Sequence, residues 1–157
     1  MNFSAREDVD APIQEVFDTM TDFAAAERAA LRRGAEVTRN DVQGVGTQWD
    51  VKFMFRGKRR QMQALLEQCS APDAIFVAAE GSGLTSKLKI DLVALSPRKT
   101  RIAVNFDVRP QTIPARIFLQ SLRLTKSALT KRFKNGLHKY ARGLEAKFSG
   151  TAGQPRA

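Results

Sequence analysis

The order of hydrophobic and polar positions divides the first third of the chain into a strand and two short helices. Residues 2–10 alternate loosely, with Phe3, Ala5 and Val9 set against Arg6, Glu7 and Asp8, and predict an edge strand. Apolar residues at helical spacing predict a short helix over 13–20, and Pro12 suits its first position. A second helix is predicted over 24–33, a segment rich in Ala, Leu and Arg, with Gly34 ending it in a left-handed cap.

From Ala35 onward the period changes to two and stays there for about 75 residues, which predicts a meander of strands. In residues 47–56, Trp49, Val51, Phe53 and Phe55 share one face and polar residues share the other. The further predicted strands are 59–69 (with Met62, Ala64 and Leu66 inward), 74–80, 86–95 and 101–109 (with Phe106 inward). Hairpin-length connections make the sheet antiparallel.

The last segment carries one long apolar stripe, which predicts a C-terminal helix. Its members are Phe118, Leu122, Leu129, Phe133, Leu137, Tyr140, Leu144 and Phe148. A continuous helix over 114–148 would be roughly 50 Å long, more than one domain of this size needs, so we expect a bend or break in its first turns. Residues 1–148 are predicted to form a single domain, and 149–157 a disordered tail.

This order of elements predicts an α+β fold in which an antiparallel sheet of six to seven strands curls around a long helix. Three motifs resemble the START-like, polyketide-cyclase-like (SRPBCC) superfamily, which has the helix-grip fold. They are VDAPIQEVF at 9–17 followed by Asp22-Phe23, the GVGTQW turn at 44–49, and the amphipathic helix through 136–145. The resemblance covers roughly residues 3–148 and implies a cavity between sheet and helix for hydrophobic molecules, without implying one activity.

A ligand in such a cavity would contact the apolar side chains on the facing surfaces of sheet and helix. The candidates are Trp49, Phe53, Phe55, Met62, Phe106, Phe118, Leu122 and Phe133, with the Tyr140 hydroxyl at the mouth. Ordinary core packing is the competing interpretation for each of them.

Acid–base chemistry finds little support in the sequence. Asp50, Lys52, Asp91, Asn105 and Asp107 alternate with the apolar positions and are predicted to face solvent, and no nucleophile, phosphate-loop or metal-ligand motif occurs. His138 lies among basic residues and is predicted to be solvated, and Cys69 is predicted to be a packing residue. We therefore predict no catalytic residue, metal or cofactor.

The formal net charge of +10 is concentrated in residues 116–147. A solvated helix face is the favoured interpretation, and the alternative is docking on an anionic membrane or partner. That surface would consist of Lys126, Lys131, Arg132, Lys134, Lys139 and Arg142. The charges surround much of the helix without interleaved stacking aromatics, which argues against sequence-specific nucleic-acid recognition.

The resulting hypothesis is a protein that binds or transports a lipid, quinone or polyketide-like molecule. A cyclase- or dehydratase-type enzyme and a basic interaction module are the alternatives. A single cysteine and the lack of a visible secretory signal favour the cytoplasm.

Overall fold

The protein, described here by a computed structural model over residues 1–152, contains seven strands and four helices in that range. In chain order they are β1 (Asn2–Val9), α1 (Ile13–Met20), α2 (Phe23–Arg32), β2 (Glu36–Arg39), β3 (Gln48–Phe55), β4 (Lys58–Ser70), β5 (Ala74–Gly81), β6 (Leu84–Ser96), β7 (Lys99–Pro110), α3 (Ile113–Arg123) and α4 (Lys126–Ala152). The strands form one antiparallel sheet, and the helices lie on its inner face. The predicted α+β helix-grip architecture is therefore confirmed.

The sheet has the order β1-β7-β6-β5-β4-β3-β2, so that β1 and β2 are its edges. The strands from β2 to β7 pair in sequence, as the short connections predicted. The N-terminal strand β1 instead pairs along its full length with β7, from Asn2 opposite Asp107 to Val9 opposite Thr100. This long-range pairing brings the N-terminus next to the C-terminal helix.

The C-terminal helical segment is interrupted, as its length predicted. α3 ends at Arg123, and α4 begins at Lys126 after a break at Leu124 and Thr125. The Thr125 hydroxyl bonds to the Leu122 carbonyl (3.2 Å) at this junction. α4 continues through Ala152, past the predicted boundary at Phe148, and the rest of the predicted tail, residues 153–157, lies outside the described part of the chain.

The main core lies where α1, α2 and the C-terminal half of α4 cover the sheet, and we call this region the closed end. Its fully buried residues include Val9, Val16, Leu66, Ile102 and Ala141. Trp49 also belongs to it, with the Phe23 ring edge-on at 5.1 Å between centroids. Apolar side chains fill this region.

The grouping of Glu7 with Arg6 and Asp8, on the face opposite Phe3 and Ala5, is wrong. Glu7 lies opposite Ile102 in the β1–β7 ladder, on the same side as Phe3 and Ala5, and therefore faces α4. Its Oε1 is 2.9 Å from His138 Nδ1, and its Oε2 is 3.7 Å from Arg142 Nη2. A carboxylate fits this inward position because β1 is an edge strand and the helix passing over it is basic.

Candidate ligand-binding groove

An open groove lies between the sheet and the α3–α4 junction, at the opposite end from the closed core. Its volume is about 440 Å³. The lining residues come from both sheet and helices: Met1, Phe3, Phe53, Phe55, Arg60, Leu84, Phe106, Val108, Phe118, Leu119, Leu122, Leu129, Arg132 and Phe133. A volume of this size is within the usual range for small-molecule sites.

The space exists partly because the inward side chains of β5 become smaller toward the groove. Register places Ile75, Val77, Ala79 and Gly81 in succession on the inner face. Gly81 has a φ of 155°, and a Cβ there would collide with the backbone carbonyl of Gln61 on β4. The part of the sheet floor formed by β5 therefore carries large side chains at the closed end and small ones toward the groove end.

α3 is held over this end of the sheet by the β5–β6 turn. The Gln111 amide donates to the Gly83 carbonyl (2.7 Å), and the Thr112 hydroxyl caps α3 by accepting from the Ala115 amide (3.2 Å). Gly83 has a φ of 74°, and a Cβ there would press on the Thr112 side chain. At the other end of α3, Arg56 donates to the Thr125 hydroxyl (2.9 Å). These contacts hold α3 in place over the groove.

Aromatic pairs join sheet to helix on two sides of the groove. Phe55 on β3 meets Phe118 on α3 edge-to-face, with 6.1 Å between ring centroids. Phe3 on β1 packs against Phe133 on α4 at 6.0 Å. Such pairs combine large apolar area with defined geometry, so the groove has rigid aromatic walls.

Arg60 is the groove residue that the sequence analysis missed. It lies opposite Phe53 in the β3–β4 ladder, and its guanidinium carbon is 4.2 Å from the Phe118 ring centroid and 5.8 Å from that of Phe55. The signal was available, because Arg60 is two residues before Met62 and so shares its inward parity. Because Arg60 is charged and follows two other basic residues at the start of β4, the sequence pattern did not identify it as inward-facing.

The nine cavity candidates divide into two groups in the structure. Phe53, Phe55, Phe106, Phe118, Leu122 and Phe133 line the groove. Trp49, 8% exposed, lies in the closed end and donates from Nε1 to Glu27 (3.0 Å). Met62 is half-buried on β4 opposite Val51, and Tyr140 is 40% exposed on α4; neither lines the groove.

The six basic candidates also occupy different places. Lys126, Lys131 and Lys134 surround a surface concavity at the α3–α4 junction, together with Arg123 and Leu124. Arg132 lines the groove and Lys139 is exposed. Arg142 instead points to β1, where it bonds to the Asp8 carbonyl and pairs with Glu7 and Glu145. Arg142 is therefore engaged within the fold.

The outward face of α3 carries an unexpected apolar stripe. Ile113, Ile117 and Leu124 are 74%, 61% and 90% exposed, and their spacing puts them on one side of the helix. The inward face of the same helix carries Ala115, Leu119 and Leu122, which are buried. α3 is thus apolar on two faces.

Ionisable chemistry around the groove is sparse. Among the lining residues that the structure describes, the ionisable side chains are Arg60 and Arg132. Cys69 is half-buried at the closed end, where burial raises the pKa of its thiol. Within residues 1–152, no group of three or more His, Cys, Asp or Glu residues is placed to hold a metal ion.

Even the 27-residue α4 lacks the continuous apolar stretch that crossing a bilayer requires, and the same is true of the other helices in the described part of the chain.

Comparison of the sequence with protein-family models and with characterised proteins finds no match. Comparison of the fold with known structures finds several. The protein TTHA0849 from Thermus thermophilus superimposes with a TM-score of 0.67 at 16% identity, over 94% of this chain and 99% of that one.

Two further structures superimpose over most of both chains. Norcoclaurine synthase from Thalictrum flavum, in complex with dopamine and hydroxybenzaldehyde, gives a TM-score of 0.66 at 14% identity, over 99% of this chain and 89% of that one. Ara h 8.0201 gives 0.59 at 14% identity, over 91% and 98%. Together with the strand order and the helix across the sheet, these likenesses show that the chain has the helix-grip fold of START-like (SRPBCC) proteins.

Proposed function

We propose that the protein binds a hydrophobic small molecule in the groove between the sheet and the α3–α4 junction. The observation that carries the proposal is the combination of an open volume of about 440 Å³ with walls that are almost entirely apolar and aromatic. Transfer of an apolar ligand from water onto such walls is favourable. Lipids, quinones and polyketide-like aromatics are the ligand classes to test.

The structural neighbour with dopamine and hydroxybenzaldehyde bound supports this use of the fold. Sequence identity to that protein is 14%, so its ligands guide the choice of compounds and not the assignment of a reaction. A cyclase- or dehydratase-type activity remains an alternative, for which the ionisable side chains of the groove are Arg60 and Arg132. The cytoplasm remains the proposed compartment, on the basis of the single cysteine.

The experiment is a titration with N-phenyl-1-naphthylamine, a neutral dye that fluoresces in apolar sites. Val108→Phe inserts a ring into the groove, and Val93→Phe makes the same substitution on the exposed outer face of β6. We expect saturable binding by the native chain and by Val93→Phe, and a loss of on the order of tenfold in affinity for Val108→Phe.

Trp49, the only tryptophan, lies outside the groove, so its emission reports separately whether each variant is folded. Equal affinity of the two valine variants would refute the groove as the site. Absence of saturable binding by the native chain to any of the ligand classes would refute the function.

A second function is supported by the exposed stripe of α3: docking on an anionic membrane surface. Ile113, Ile117 and Leu124 project from the helix, and Arg116, Arg123 and Lys126 flank them. Residues 108–144 contain no Asp or Glu, so no acidic side chain in this segment opposes the approach of acidic headgroups. An apolar stripe bordered by basic residues matches the acyl and headgroup layers of such a surface.

Sedimentation with vesicles tests this docking. We expect binding to vesicles of phosphatidylcholine and phosphatidylglycerol, weaker binding to phosphatidylcholine alone, and weakening with salt. Leu124→Ser should reduce binding, whereas Leu31→Ser, which removes an exposed leucine from α2, should not. Equal binding by the two serine variants would refute the role of α3.

A further inference from the structure

One charged side chain of the groove, Arg60, contacts the rings of its aromatic walls. Arg60 extends from β4 toward the helices, with its guanidinium carbon 4.2 Å from the Phe118 ring centroid. Its Nε is buried and has no hydrogen-bond partner. A buried donor without a partner is uncommon in a folded protein and calls for an explanation.

The surroundings supply no counter-charge. No ion pair in the described residues includes Arg60, and no Asp or Glu lines the groove. The other buried atom without a partner, Asp50 Oδ1, belongs to a residue on the opposite face of the sheet, since the adjacent Trp49 faces inward with Ala64. Arg132, the second ionisable side chain of the groove, is also a cation.

The adjacent residue offers an internal comparison. Arg59 points to the outer face, where its Nη2 is 3.0 Å from Glu36 Oε2, and both side chains are largely exposed. Of these two neighbouring residues, the outward Arg59 therefore has an acidic partner. The Nε of the inward Arg60 has no hydrogen-bond acceptor among the described residues. The contact with the Phe118 ring is favourable for the cation but supplies no hydrogen-bond acceptor for Nε.

We infer that the natural ligand of the groove is an amphiphile with a carboxylate head, and that Arg60 binds this head while the apolar walls bind the tail. The inference rests on the function proposed above and specifies its ligand class. A guanidinium presents N–H donors in a planar fork that matches the two oxygens of a carboxylate. Such a head would supply the acceptor that Nε lacks and the negative charge that the groove lacks.

The test compares two compounds that differ in the head alone, dodecanoate and 1-dodecanol. Each is titrated below its aggregation limit, at pH 8 and low salt, as a competitor of bound N-phenyl-1-naphthylamine. We expect dodecanoate to compete at concentrations on the order of tenfold lower than the alcohol, because a charge-assisted hydrogen bond is available to the carboxylate alone.

Three variants locate the origin of this preference. Arg60→Met retains an unbranched apolar side chain and removes the charge, so the two competitors should become about equal. Arg60→Lys keeps a cation but loses the fork, and should show an intermediate ratio. Arg59→Met, the matched control, should retain the native ratio.

If Arg60→Met still preferred dodecanoate over 1-dodecanol as the native chain does, the role of Arg60 would be overturned and the groove would stand as a binding site. An equal loss of this preference in Arg59→Met would have the same meaning. Equal competition by the acid and the alcohol in the native chain would overturn the carboxylate assignment in the same way. Failure of the native chain to bind the dye and both competitors would instead overturn the proposed function itself. If Arg60→Met does not fold, Arg60→Lys takes its place. A reduced preference for dodecanoate over 1-dodecanol in Arg60→Lys would support the role of Arg60, and a native preference would overturn it.

Discussion

The two ends of the space between sheet and helices are built from the same strands and have opposite structures. At the closed end, Leu66 and Ile102 are completely buried under α1, α2 and α4. At the groove end, Phe53, Phe55 and Phe106 of the neighbouring strand segments face an open volume. Alternation along each strand is the same at both ends, so the difference arises from what covers the inner face.

Two features account for the contrast. The inward side chains of β5 become smaller from Ile75 to Gly81, so this strand occupies less space above the sheet at the groove end. The helix break at Leu124 and Thr125 gives the groove a separate covering helix, α3, which is anchored at both ends by hydrogen bonds. The closed end therefore stabilises the fold, and the groove end leaves room for a ligand.

The largest expected effect comes from making the same deletion at both ends. Leu66→Ala at the closed end should destabilise the protein by about 3 to 5 kcal/mol, because it leaves a cavity that the surrounding residues cannot fill. Leu122→Ala at the groove should cost no more than about 2 kcal/mol, because its surroundings are already partly open. Urea unfolding followed by Trp49 fluorescence measures both.

For the same two variants, dye binding should show the opposite order of effects. Leu122→Ala should weaken binding of N-phenyl-1-naphthylamine, and Leu66→Ala, measured at a temperature where it is folded, should not. Equal destabilisation by the two deletions would mean that the groove end is packed as tightly as the core, and would contradict the division proposed here.

A smaller effect is expected from removing one helix cap at each end. Thr112 caps α3 over the groove, and Asp22 caps α2 at the closed end by accepting from the Ala25 amide (3.1 Å). Replacing either with Ala should cost about 1 kcal/mol of stability. Only Thr112→Ala should also weaken dye binding, since α3 lines the groove and α2 does not. A parallel loss of binding in Asp22→Ala would show that the two ends are not independent.

The sequence predicted the elements and their order because period-two alternation, turn residues and the final apolar stripe are local signals. It also predicted the interruption of the last helix, from the helix length that one domain can accommodate. It did not predict which inward residues form core and which line a groove. Trp49 and Phe53 lie on the same face of one strand, and they differ only in which helix lies above them.

The sequence also did not predict which charged residues face inward. Because charge usually indicates a solvent-facing position, the alternation grouped Glu7 with the polar residues and did not identify Arg60, yet both have inward parity in their strands. Glu7 is explained by its cationic partners on α4, which a single sequence cannot place opposite it. Arg60 has no such partner, and this difference is what makes it a ligand-binding candidate.

The smallest expected effect distinguishes two acidic residues of the β1–β7 region. Asp8, near the closed end, accepts two hydrogen bonds from Arg101 across the strand pair (2.9 and 3.3 Å), and these bonds lower the pKa of its carboxyl. Asp107, toward the groove end, has its pKa lowered chiefly by Arg109, two residues away on the same strand. A carboxyl whose pKa is lower in the folded state stabilises the protein above the unfolded pKa of about 4, and that contribution is lost as the pH falls through the folded value.

Acid unfolding of Asp8→Asn and Asp107→Asn at low salt therefore sharpens the comparison. Asp8→Asn should raise the pH of the unfolding midpoint more than Asp107→Asn, because its ion pair joins the edge strand β1 to β7. The Asp107 pair joins residues that are adjacent in the unfolded chain too, so less of its stabilisation is specific to the fold. Both shifts should shrink as salt rises, since the pairs are solvent-exposed. A larger shift for Asp107→Asn would mean that the groove end, and not the closed end, limits the acid stability of this strand pair.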